Sequence, residues 1–240
     1  MIYNIHKAVI AIDYIVEGLR EAINLLIGLD REIYQIIFLS LFVSTSATIA
    51  ASIIFIPIGI YLGIKEFKGK KVLSRILYTF MSIPSVVVGL LVAIILSRRG
   101  PLGKFDLMYT PKAMIIAQTL LVTPLILGLT YSLGKNRGKE IEKIGKTLGA
   151  GGKDIIILVI KELKIDLIVN VITGFSRAIS EVGAVMIVGG NIRYRTRVIT
   201  TAISMLKSMG DYPMAIALGI VLLIISFLVN SIIYKYTGDD

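Results

Sequence analysis

The chain has 240 residues, of which 55% are hydrophobic, and a mean hydropathy of +0.83. This exceeds the roughly 45–50% apolar usage of soluble domains. With no cysteine and a single histidine, His6, it lacks the material for disulfides, iron–sulfur clusters or a histidine-rich metal site. Its formal charge of +10 sits in short segments between apolar runs, the pattern that orients membrane proteins rather than one that binds nucleic acid.

In chain order, residues 1–32 alternate apolar and charged positions, as across 18–29, which predicts an amphipathic interfacial helix. Asp13, Glu17, Arg20 and Glu21 interrupt its apolar stretch, so no cleaved signal is expected. Residues 33–64 hold no charge. As a helix this run would extend about 48 Å against a hydrocarbon core of about 30 Å, so the first span must tilt, bend near Pro57 or enter an interface.

A basic segment, 65–75, precedes a second run at 76–97, and a third at 113–134 contains Gln118, Thr119, Thr123 and Pro124. Polar groups inside a span face other helices or water. Residues 135–166 carry eight basic and five acidic residues around Gly145, Gly149, Gly151 and Gly152. Their apolar stretch, 155–160, is too short to cross. A fourth span is expected at 167–188 and a fifth at 213–234, and no regulatory domain is expected after it.

The predicted architecture is therefore an all-α membrane protein with about five transmembrane helices. Counting Lys and Arg gives 14 on the side of residues 65–75 and 135–166 against 11 on the other. This places those segments in the cytoplasm and the N-terminus outside.

Arg177 and Glu181 are the most informative residues within the spans, because an ionised group near the bilayer centre costs about 2.5–3.5 kcal/mol. Four residues apart, they share a helix face. Either they neutralise each other in the bundle, or Arg177 attracts an anion while Glu181 sets its position. Gly183, Gly189, Gly190 and Asn191 form a stretch able to unwind and offer amides to an oxyanion, or simply end a helix. Arg193, Arg195 and Arg197 follow as an electropositive outer vestibule or as loop decoration.

Gly145, Lys146 and Thr147 mimic the end of a phosphate-binding loop, but Glu140 stands where its first glycine is required. No nucleotide motif, catalytic cluster or cofactor site is apparent.

The run Lys146, Thr147, Leu148, Gly149, Ala150 resembles the T-L-G-A core of the cytoplasmic coupling loop in ABC importer permeases. That family's pattern aligns its glycine with Gly149 and a later apolar position with Val159, while its acid falls on Lys143 and its proline on Glu162. Residues 176–192, S-R-A-I-S-E-V-G-A-V-M-I-V-G-G-N-I, and 196–203, T-R-V-I-T-T-A-I, are very similar to tungstate-type permeases, which are related to molybdate permeases.

The resemblance spans about residues 33–234. It implies a type I ABC importer core with a coupling helix in 139–162, working in the plasma membrane as a homodimer. Two cytoplasmic ATPase subunits would hydrolyse ATP and an external binding protein would deliver the oxyanion. A self-sufficient channel or ion-driven carrier is the competing expectation.

Overall fold

The computed structural model describes residues 13–21, 23, 24, 28 and 31–237; the rest of the expected N-terminal segment, including His6, lies outside the described residues. Among those described, the ordered elements are helical and there is no strand.

Helix α1, Arg31–Ile64, runs 34 residues and contains Pro57. Ser40, Ser44, Thr48 and Ser52 recur every fourth residue along its buried face. The Ser40 and Thr48 hydroxyls donate to the carbonyls of Ile36 (2.7 Å) and Ser44 (2.8 Å), so these two enter the bundle satisfied, while the Ser52 hydroxyl is buried without a partner. Small side chains of this kind let helices approach closely in lipid. Farther along, a Cβ at Gly63 would lie 2.5 Å from the Tyr131 carbonyl, so α1 crosses the fourth helix there at backbone contact.

The predicted span 76–97 is not one helix. The structure forms α2, Lys70–Met81, and α3, Ser85–Leu96, bent by 93°. Pro84 causes the break: it lacks an N–H, and the amides of Ser82 and Ile83 turn back to the carbonyls of Thr79 and Phe80, at 3.2 Å each.

Helix α4, Pro111–Leu133, starts on Thr110, whose hydroxyl caps the Ala113 amide, with proline in its first turn. The corresponding run does not stop at residue 134. A π-helical turn, Gly134–Gly138, joins α4 to α5, Lys139–Thr147, making a continuous 37-residue helix, Pro111–Thr147.

Helices α6 (Gly152–Glu162) and α7 (Lys164–Ile179) follow, and the predicted fourth span bends by 59° between α7 and α8, Gly183–Gly189. Helix α9, Ile199–Met209, forms between the predicted fourth and fifth spans, and α10, Tyr212–Thr237, supplies the last span. Among the described residues three helices can cross a membrane alone, or five spans exist if each bent pair counts once.

Residues 13–21 are helical and lie against the start of α10, with the Tyr14 and Tyr212 rings 5.7 Å apart. One apolar core joins α3, α4 and α8 through Val92, Met114 and Val185. A second joins α1, α9 and α10, and a third seats α6 and the start of α7 on the end of α1.

The α3–α8 crossing is the tightest joint near the candidate site: a Cβ at Gly89 would sit 2.6 Å from the Ala184 Cα. The obstacle is backbone, which cannot rotate away. Gly89→Val should therefore cost about 1–3 kcal/mol or more by overpacking, read as a lowered unfolding temperature of the purified chain in detergent. An unchanged melt would contradict this crossing.

Candidate functional site

The break between α7 and α8 brings together residues distant in sequence. The Arg177 Nη1 donates to Glu181 Oε2 at 3.0 Å, with side chains 40% and 2% exposed. Glu181 Oε1 accepts from the Ala184 amide at 3.0 Å, capping the first turn of α8. Both carboxylate oxygens are thus held by partners that belong to the bend. Arg177 gives one of its five N–H donors to this pair, and its side chain stays partly exposed.

Carbonyls released by the break are also satisfied. Gln118 Nε2 donates to the Ala178 carbonyl at 3.0 Å, and Thr200 Oγ1 donates to the Glu181 carbonyl at 2.7 Å. Irregular backbone at membrane depth requires such partners. Gln118 stands out in the sequence as a polar residue in a span, whereas Thr200 reads as part of a loop because α9 is too short to register as a span.

Within the glycine stretch, the Gly190 amide is already engaged. The Gly190 amide donates to the Met186 carbonyl at 2.9 Å, and the Ile192 amide to Thr196 Oγ1 at 3.0 Å. Thr196 Oγ1 in turn donates to the Gly189 carbonyl at 2.6 Å, while the Tyr109 amide donates to the Val188 carbonyl at 2.9 Å. Gly190 has φ +70° and lies against the Tyr109 ring, so it ends α8 where a side chain would clash. A Cβ at Gly183 would lie 2.8 Å from Val86 Cγ2, and one at Gly189 3.0 Å from Met114 Sδ. Asn191, at φ +52°, keeps a buried, unpartnered Oδ1, an acceptor rather than a donor for an oxyanion.

Of the three arginines beyond, Arg193 and Arg197 converge on Glu32 at the start of α1, through contacts of 2.5 and 3.1 Å. Arg195 is exposed. Two of the three thus clamp α1 to the turn before α9, so the expected vestibule of three open cations is reduced. These four groups still carry excess positive charge.

At the opposite end of the bundle, α5 and α6 flank the turn holding Lys146, Thr147, Leu148, Gly149 and Ala150. Lys146 pairs with Glu142 at 2.8 Å. The Ala150 amide donates to the Gly145 carbonyl at 2.9 Å, and Gly149 adopts φ +78° with open space around it. Leu148 is 79% exposed at the tip.

Val159 is fully buried against Ile60, Ile64 and Ile155. Its expected place among docking residues is corrected: it anchors α6 to α1. Glu66, on the α1–α2 connection, pairs with Lys139 and Lys70. The hydrogen bond from Lys139, followed by the nearby Lys70 charge, holds its carboxyl below the usual glutamate range despite opposing desolvation.

Residues 55–236 match the family model of the binding-protein-dependent transport system inner membrane component. Over 93% of this chain and 98% of its own length, the tungstate uptake system permease protein TupB of Peptoclostridium acidaminophilum is 66% identical. TupB of Campylobacter jejuni is 38% identical over 94% of this chain and 95% of its own length. A probable anion ABC transporter permease of Haloferax volcanii is 39% identical over 80% and 85% respectively. With the family match covering residues 55–236 and relatives aligned over most of its length, the chain belongs to the inner membrane components of binding-protein-dependent transport systems and is an ABC transporter permease.

Proposed function

We propose that this chain forms the translocation path of an ATP-driven tungstate importer, working as a homodimer with two cytoplasmic ATPase subunits and an external oxyanion-binding protein. The observation that carries the reading is the near-full-length similarity to a tungstate uptake permease. The five crossings are α1, α3 with its flanking residues, α4, the α7–α8 pair and α10, with the α5–α6 end in the cytoplasm.

In this reading the exposed turn Lys146–Ala150, with Leu148 at its tip, seats in the ATPase, which carries out hydrolysis. The partly exposed Arg177 of each copy supplies donors along the path, while Glu181, committed to Arg177 and the α8 amide, sets their position. Arg193, Arg195 and Arg197 give the outer mouth its excess positive charge, which favours approach of a dianion. Gly183, Gly189, Gly190 and Asn191 shape the bend and turn rather than contact the ion.

Uptake of labelled tungstate and molybdate into proteoliposomes tests this. Uptake is expected only with the ATPase, the binding protein and ATP all present, and with tungstate preferred. Transport by this chain alone would replace the reading with a channel or carrier.

A further inference from the structure

Helix α2 has three faces. Lys70, Leu77 and Met81 turn inward: the Lys70 amine donates to the Gly63 carbonyl at 2.6 Å, and Met81 lies against Gly128 of α4. Val72, Ile76 and Phe80, spaced by four, form an apolar row with exposures of 57%, 46% and 49%. Lys71, Arg75 and Tyr78 form an exposed polar row beside it.

Helix α2 lies at 93° to α3 and meets α4 where Met81 packs against Gly128. An apolar row, a basic row and this inclination describe a helix lying in the bilayer surface.

Beside it opens a cleft of about 770 Å³ lined by Lys70, Lys71, Arg75 and Lys135, with Glu66 as its acidic group. Tyr131 also lines the cleft; it is 1% exposed and its hydroxyl has no partner. We propose that α2 is an interfacial helix and that this cleft binds the headgroup of an anionic phospholipid from the leaflet at the α5–α6 end. Lys71, Arg75 and Lys135 would face the phosphodiester, and acyl chains would cover Val72, Ile76 and Phe80. The adjoining apolar row favours a lipid over a soluble anion, because a free oxyanion leaves that row uncovered. The proposal rests on membrane placement and not on cargo, so a failed uptake assay leaves it standing.

The chain has no tryptophan, so Y78W introduces a single reporter, with F80W as a second. The full chain is placed in nanodiscs containing phosphatidylglycerol or phosphatidylcholine brominated on the acyl chains. Phosphatidylglycerol should quench at a severalfold lower mole fraction, and the preference should fall about fivefold for each charge removed in K71Q/R75Q. Equal quenching by both lipids, a preference untouched by K71Q/R75Q, or no quenching in either reporter would overturn the proposal. So would loss of the preference on adding millimolar tungstate or phosphate at fixed ionic strength, which would assign the cleft to a free oxyanion.

Discussion

Replacing Arg177 with methionine should destabilise the chain by about 3–5 kcal/mol, well beyond the effect of Glu181→Gln. The carboxylate is 2% exposed, so losing its cation strands a buried charge. The converse loss is milder, because Arg177 is 40% exposed and can retain water, and a glutamine oxygen can still accept from the Ala184 amide. Removing both charges in R177M/E181Q should restore most of the stability. Denaturation of the three variants in detergent checks this order. Uptake by the double variant then separates scaffold from pathway: a stable chain with transport lowered at least tenfold is expected if Arg177 contacts the ion. Full transport would reduce the pair to a structural brace.

Leu148→Asp should lower binding-protein-stimulated ATPase activity of the assembled transporter by at least tenfold while leaving the permease itself as stable as before. Leu148 is 79% exposed and packs on nothing that its loss would disturb, so its stability effect should stay within about 0.5 kcal/mol. Val159→Asp provides the contrast, since a carboxylate among Ile60, Ile64 and Ile155 should cost several kcal/mol and unfold α6 from α1. Normal ATPase stimulation in L148D would exclude this turn as the docking element.

The long runs of the first, third and fifth spans were legible because hydropathy sees length, and α1, α4 and α10 have it. The bent pairs were less so. Pro84 was visible within the second run, but a proline inside a membrane helix can be tolerated, as Pro57 and Pro124 are here, so its presence alone did not predict a break. Its effect depends on Ser82 and Ile83 turning back onto α2.

Arg177 and Glu181 were readable as a pair from their spacing, yet nothing in the spacing said that the second glutamate oxygen caps α8. Val159 was misplaced although Ile155, Val159 and Leu163 recur every four residues, the mark of a buried face. The partner Glu32 of Arg193 and Arg197 lies more than 160 positions away, and such long-range pairing leaves no local trace.

The π turn at Gly134–Gly138 carries a mechanical consequence. Because it keeps the 37-residue helix unbroken, Pro111–Thr147 is a rod of about 55 Å with Lys146 at one end and the turn touching α8 at the other. Tilting it by about 10° around its middle would carry each end about 5 Å in opposite directions. A small push on one side of the membrane would thus arrive at the other as displacement, with leverage set by the length of a single helix.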